Sequence, residues 1–481
     1  MTPRRHIKNR LSAQGHEYLD LDFQRSPNWR QQEVGTGNKV VTQQGARRKQ
    51  ADVFDRTAVQ TAVAHMLNAD ASRRIAAVLA LVFLSSLTLL LFGLKPERGP
   101  FEFLHVPTAL AQLLFICVVV LKTDWKQQLT TLAISQRGLL ALLFAYVFFV
   151  SFVSPIPSAL LLAVFWLIHI VFFVALIAFY RASFMHESDM IWRVLGIASL
   201  AHVTAFVFAW ALWPEQVRDH ILPVFENIRF LGYFVAPAVV VMAMMFVTRP
   251  NAAILPLVSF AGAALYIIHT GSRGGAVAII AGMIVGAAYL GWHRRRVLGS
   301  RVLILLAVTI ALLFLSAFMP NLPWPPLFDR AVADVGSPGL VALSGRDWVW
   351  SVTVDAIKEN WLIGYGPAFL VHIYILVLDG AEVGVRNSHN IVLQFLLHWG
   401  VLGSVLILAT GMSFARNIWV ALTMNTDYAL LPLVALSTML VHSLVSGVFF
   451  YSYSTVIAIV AFASLERIGW QAQKPRSPDP D

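Results

Sequence analysis

The chain has 481 residues, 58% hydrophobic and 13% charged, with a formal net charge of +10. That balance reverses the proportions of a soluble domain and reads as a polytopic membrane protein, so the positive charge bears on topology and does not point to nucleic acid. A single cysteine, Cys117, inside an apolar run excludes an intrachain disulfide framework and a cysteine metal site.

Residues 1–72 are polar, include the basic stretch GARRKQ at 45–50, and lack the apolar core and cleavage site of a secretory signal. They are expected to form a mostly disordered cytoplasmic tail with a weak helix near 52–68. Its basic clusters are either solvated topogenic charge or a contact for anionic lipid. A spanning helix takes about 20 mainly apolar residues. Such runs fall near 75–94, 102–121, 138–154, 158–180, 192–213, 232–248, 252–269, 275–292, 302–319, 391–412, 428–447 and 449–466. The expectation is an all-α integral membrane fold of about twelve spans over 73–466, followed by a cytoplasmic tail at 467–481. The joints at 249–251 and 270–274 are tight enough to hold re-entrant segments instead of full crossings.

Orientation follows from the basic residues. With the N-terminus inside, short cytoplasmic loops carry Lys122, Lys126, Arg137, Arg181, Arg193, Arg249, Arg294, Arg295, Arg296, Arg301 and Arg416. The other side has Lys95, Arg98, Arg218, Arg229 and Arg273 in short loops, while Arg330, Arg346, Lys358 and Arg386 lie in the long segment 320–389. Long segments count little in the positive-inside rule, so both termini are expected to be cytoplasmic. Arg229 in IRFLGY, Arg273 in TGSRGG, Arg346 in SGRDWVW and His389 in NSHN then share the outer side. Cations near the hydrocarbon boundary are costly unless paired, hydrated or snorkelled. Each is either a ligand contact or an interfacial contact to lipid phosphate or an ion-pair partner.

In HTGSRGG, Gly271, Gly274 and Gly275 permit close backbone approach, and Ser272 can cap the helix that follows. Free amides at a helix N-terminus together with Arg273 make a phosphate-binding arrangement; a tight interhelical turn with an interfacial arginine is the alternative. In the long loop, SGRDWVWSVTVDAIKENWLIGYGP reads as a helix. Ser344 and Asp347 approximate a capping box, Trp350, Val354, Ile357 and Trp361 form an apolar stripe, and Gly364, Gly366 and Pro367 end it. The run from Pro367 reads as a second loop helix. The loop can serve as a lid or substrate platform, or as a structural cap.

In NSHNIVLQFLLHWGVLG, Asn387 or Ser388 is expected to cap the next span and so place His389 in its first turn, where the helix dipole favours a neutral imidazole suited to a general base. Asn390, Gln394 and His398 continue as one polar stripe, and GVLG offers small residues for close helix contact. His105, His169, His202, His269 and His442 read as bonded packing or interface residues.

Taken in order, IRFLGY, TGSRGG, SGRDWVW, ENWLIGYGP and NSHNIVLQFLLHWGVLG resemble the signatures of the O-antigen ligase and O-antigen polymerase superfamily of membrane glycosyltransferases, over roughly residues 220–410. The first 220 residues match only as hydrophobic spans, and the basic tail is longer than the family leads one to expect. The resemblance implies a glycosyltransferase C-like fold in the bacterial inner membrane, with a periplasmic site acting on an undecaprenyl-diphosphate-linked glycan. The acceptor is then a hydroxyl of the lipid A core for a ligase, or a second glycan for a polymerase. It implies catalytic roles for Arg273, Arg346 and His389, and substrate binding by Arg229, whose match is looser. Ser272 and Asn390 are added as substrate-binding residues for their place beside the arginine and the histidine.

The chemistry of the residues agrees with that implication. Arginines and helix amides can stabilise a diphosphate leaving group without a metal, while His389 takes the proton of the attacking hydroxyl with inversion at the anomeric carbon. Asp329, Asp334, Asp347, Asp379 and Glu382 lack a compact ligand spacing, so no cofactor or metal is expected. Asp355 and Glu359 share a helix face beside Lys358 and read as solvated charge. The one extended outer loop favours a ligase over a polymerase. A lipid-linked glycan transporter is the non-enzymatic alternative, set aside because the charges gather at one surface and no repeat relates the two halves.

Overall fold

The computed structural model describes residues 77–85, 87, 105–182, 188–212, 228–249, 251, 253–293, 299–319, 346–368, 373, 387–424 and 428–473. The expected tail at 1–72 with its weak helix, most of the first span, Ser344 of the expected capping box and most of the second loop helix lie outside them.

Every described element is helical: α1 Val106–Lys122, α2 Trp125–Thr130, α3 Ile134–Val153, α4 Ser158–Ala182, α5 Ser188–Leu212, α6 Ile228–Thr248, α7 Ile254–His269, α8 Arg273–Trp292, α9 Gly299–Phe318, α10 Arg346–Glu359, α11 Ile391–Ser413, α12 Ala415–Thr423, α13 Leu430–Leu444 and α14 Ser452–Ala472. Each apolar run expected after the first coincides with one of these helices. Seven of them, α3, α4, α5, α6, α8, α9 and α11, are long and apolar enough to cross a membrane, and α1, α7 and α13 are shorter apolar helices.

Burial orders the bundle. α6 is apolar all round and buried along nearly its whole length, from Leu231 through Val247, as expected of a helix surrounded by others. It packs against α5, α7, α8 and α13. By contrast α9 leaves Leu303, Leu306, Phe314 and Phe318 exposed, and α8 leaves Ile280 and Ile284 exposed, the apolar outer faces a bilayer would cover.

The helix ends expected on the cytoplasmic side are tied to one another. Arg181, in the last turn of α4, pairs with Glu466 of α14, both side chains being almost wholly buried. Thr131 lies 2.6 Å from the same guanidinium, and Asn417 of α12 donates to Glu466 Oε1 at 3.0 Å. Arg249, just past α6, pairs with Asp189 at the start of α5 at 2.8 Å. Arg301, near the start of α9, donates to the carbonyls of Phe246 and Arg249 at 2.8 Å each. Basic side chains at these ends therefore satisfy carboxylates and terminal carbonyls of neighbouring helices.

One spanning helix is broken. Within α11, Gly400 has φ 57° and ψ −168°, so the ladder loses its bonds around that residue. The segment after α10 fills the gap. Tyr365 and Gly366 donate backbone N–H to Leu397 O and His398 O at 2.9 Å each, and Val401 and Leu402 donate to Trp361 O and Leu362 O at 2.8 and 3.1 Å. The Tyr146 hydroxyl of α3 lies 2.8 Å from Trp399 O. Irregular backbone within an apolar bundle is tolerated only when protein groups satisfy it in this way. GVLG thus does two things: Gly400 makes the break, and Gly403 packs against the Tyr146 ring. A Cβ at Gly400 would stand 2.3 Å from Leu362 O, whereas one at Gly411 would meet nothing within 4 Å.

Two expectations for α10 are corrected. The buried face is Val349, Thr353 and Ala356 with Ile357 packed beside them, and the rest of the stripe turns away from it: Val354 is 37% exposed and Trp361 55%. The physical reason is the small side chains of Thr353 and Ala356, which let the helix lie close to the cluster of Ile156, Ala159 and Leu397. The glycines after α10 also do more than stop it: Gly364, at φ 80°, is pressed against Gly400 N, 2.5 Å from where its Cβ would be.

Gly400→Ala should therefore cost more than the roughly 1–3 kcal/mol of a strained backbone, seen as a lower unfolding midpoint in detergent. Gly411→Ala in the same helix should leave the midpoint unchanged or slightly raised. Equal midpoints for the two variants would contradict the packed break.

Candidate functional site

Ser272 caps α8: its Oγ accepts the N–H of Gly275 at 3.3 Å, as the sequence predicts, and Arg273 is the first helical residue. Gly274 lets this turn approach the end of α13 closely, since a Cβ there would meet Ser446 Oγ at 3.1 Å, Val445 at 3.3 Å and the His442 ring at 3.4 Å. Arg229 stands in the first turn of α6; its side chain is outside the described residues. One turn further, Tyr233 is buried and meets the His442 ring edge-on, with centroids 5.1 Å apart.

Arg346 begins α10 and comes near three of these groups. Burial holds its guanidinium below the ordinary arginine value, the Tyr233 phenol acts in the opposite direction, and the like charge of Arg273 lowers it further. The guanidinium also acts electrostatically on His442. It stays charged at physiological pH, as arginine does in proteins. Two guanidiniums from segments distant in sequence thus share one half-buried region, where like charges repel and an anion seated between them is stabilised.

The NSHN turn lies beside this region. Asn390, not Asn387 or Ser388, is the N-cap of α11: its Oδ1 accepts the N–H groups of Val392 at 2.9 Å and Leu393 at 3.2 Å, and its Nδ2 donates to Leu444 O at 3.0 Å. His389 therefore precedes the cap and is not in the first turn, contrary to the sequence expectation. The reason is that Asn387 and Ser388 are engaged elsewhere. Asn387 Oδ1 accepts the His389 N–H at 3.0 Å, and the Ser388 N–H and hydroxyl reach Gln394 Oε1 at 3.0 Å each. His389 has φ 52°, the one positive φ outside glycine among the described residues, a conformation that marks local strain. Trp350 of α10 donates its indole N–H to Ser388 O at 2.9 Å, and Asn387 packs on Gly447. The polar stripe continues as expected: Gln394 Nε2 is 2.5 Å from His398 Nε2, which is 3.0 Å from Ala368 O.

Below the turn, an apolar cavity of about 310 Å³ opens between α3, α4, α11, α13 and α14, with Ile391 and Phe395 in its wall. Among the described residues, no group of three or more histidine, cysteine and acidic side chains could hold a metal.

The structure thus places Arg273 and Arg346 within electrostatic reach of each other and ties α10, which carries Arg346, to the His389 turn through Trp350. Sequence reasoning passed over Tyr233 and read His442 only as a packing or interface residue. Tyr233 lies within the quoted IRFLGY, but His442 had no signal, because its nearness to Gly274 and Arg346 arises only in three dimensions. The other membrane histidines are bonded as expected: His105 and His169 to Ser452, His202 to Ala198 O and His269 to Ser316.

Residues 258–408 match the model of a family described as O-antigen ligase. The match includes Ser272, Arg273, Arg346, His389 and Asn390 and leaves Arg229 outside. Over that stretch the chain is similar to the O-antigen ligase family, within a helical bundle that has, among the described residues, seven helices long and apolar enough to cross a membrane. No curated protein matches it.

Proposed function

We propose that the protein is a metal-independent, inverting O-antigen ligase that moves a glycan from an undecaprenyl-diphosphate carrier to a hydroxyl of the lipid A core at the periplasmic face. The observation that carries this reading is the convergence of Arg346 and Arg273 next to the turn of His389, which Trp350 joins to α10.

In this mechanism the diphosphate lies across Arg273, Arg346 and the positive end of the α8 dipole, which stabilise the charge that develops as the glycosidic bond breaks. His389 accepts the proton of the acceptor hydroxyl while its oxygen attacks the anomeric carbon from the opposite face, and undecaprenyl diphosphate leaves. Arg229 and the capped turns at Ser272 and Asn390 complete the substrate-binding side. The apolar cavity under Ile391 and Phe395 has room for the first isoprene units of the carrier. The exposed Trp348 of α10 and Trp361 just beyond its end suit an acceptor anchored in the membrane surface, which favours a ligase over a polymerase.

The test is transfer from a purified undecaprenyl-diphosphate-linked oligosaccharide to lipid A core. Arg273→Ala, Arg346→Ala and His389→Ala should each lose about a hundredfold or more in rate, and EDTA should have no effect. Full activity of His389→Ala would remove the general base from the account, and EDTA sensitivity would remove the metal-free mechanism. Deletion of the gene should leave bare lipid A core; core bearing a single repeat would indicate a polymerase.

The topology proposed with this reading has about twelve spans, both termini cytoplasmic and the site periplasmic. The paired ends at Arg181, Arg249 and Arg301 support it, because all three belong to the side assigned inside by charge. In a Cys117→Ser background, Val335→Cys and Arg386→Cys should react with an impermeant thiol reagent in intact cells and Val297→Cys should not. Labelling at 297 alone would invert the topology.

A further inference from the structure

The backbone of His389 is held in a conformation that costs roughly 1–3 kcal/mol and persists only where the surroundings over-determine it. Two side chains with no part in the chemistry above hold its neighbour Ser388 from either side. Gln394 Oε1 takes both the N–H and the hydroxyl of Ser388 at 3.0 Å, and Trp350 Nε1 donates to the Ser388 carbonyl at 2.9 Å. Gln394 is itself braced by His398, whose Nε2 is 3.0 Å from Ala368 O. Trp350 sits one helical turn after Arg346, on the same face of α10. Its single bond therefore sets the register between the segment that carries a leaving-group arginine and the segment that carries the base.

We propose that Trp350 and Gln394 are positioning residues for His389, holding its imidazole at a fixed offset from the guanidinium of Arg346. The inference rests on the reading of His389 as the base. Without either bond the turn is free to relax from its left-handed conformation. A misplacement of about 1 Å is enough to cost about a hundredfold in rate without loss of binding groups. The effect belongs to kcat, because the arginines that hold the diphosphate remain.

The experiment uses the full-length protein and, as probe, the lipid-linked glycan extracted from a strain lacking the gene, with membranes of that strain as the source of acceptor. Trp350→Phe keeps the ring and removes the N–H; Gln394→Met keeps the volume and removes the acceptor. Both should lower kcat about tenfold or more, leave KM for the extracted glycan within about twofold, and displace the acidic limb of the kcat–pH profile. Trp419→Phe, with an exposed ring on α12, should match the parent in all three. A Trp350→Phe variant with parental kcat and pH profile, or one changed in KM alone, would overturn the proposal, whether or not Gln394→Met folds. Should His389→Ala retain full activity, the base assignment fails and the positioning role falls with it. That result is distinct from an inactive His389→Ala beside a normal Trp350→Phe, which would sink the positioning role only.

Discussion

The broken helix at Gly400 is the constraint on which the site depends. A spanning helix normally satisfies its own backbone; α11 gives up that closure for one turn, and the segment 361–366 supplies the missing donors and acceptors from the loop side. The exchange works only because glycine stands on both sides of the contact, at 364 and 400, each at positive φ. A Cβ at Gly364 would enter the backbone of His398 and Gly400, and one at Gly400 that of Leu362 and Ile363. In return, the loop that carries α10 is anchored by main-chain bonds into the middle of a spanning helix, a firmer attachment than side-chain packing on its surface.

That anchor fixes what lies above it. With its C-terminal end held at the break, α10 lies with Val349, Thr353 and Ala356 inward, and this rotation brings Arg346 toward Arg273 and turns the Trp350 indole toward Ser388. The N-terminal half of α11, closed by the Asn390 cap, projects the His389 turn to the same place. Charge explains why such an arrangement needs a rigid frame: two guanidiniums and an aromatic cluster of Tyr233, His442 and Tyr451 would separate if the loop were free to drift. The frame holds the two guanidiniums beside the His389 turn, and the apolar cavity opens along the helix that follows that turn.

Much of this was legible in the sequence. Apolar runs located the helices because an unbroken run of that length has few other uses, and Ser272 could be read as a cap because its hydroxyl, the following glycines and the helix start are local features. The NSHN turn was legible as a polar site but not in its geometry. Three of its four residues can cap, and only the demands of Gln394, Leu444 and Gly447 select Asn390. The face of α10 was misread because tryptophan outweighs alanine and threonine in any hydrophobic count, whereas a close helix contact selects the small residues. The break at Gly400 was invisible in HWGVLG, since a glycine that packs and a glycine that bends look alike until its partner, Gly364, is placed beside it.

The central claim is that Arg273 and Arg346 act on one anion. The most direct measurement is a double-mutant cycle on the affinity of the purified protein for undecaprenyl diphosphate, with Arg273→Ala, Arg346→Ala and the pair. A shared ligand predicts that each single variant weakens binding and that the two effects are coupled by about 0.5–3 kcal/mol. Strictly additive losses, or an Arg346→Ala variant that binds as tightly as the parent, would contradict it.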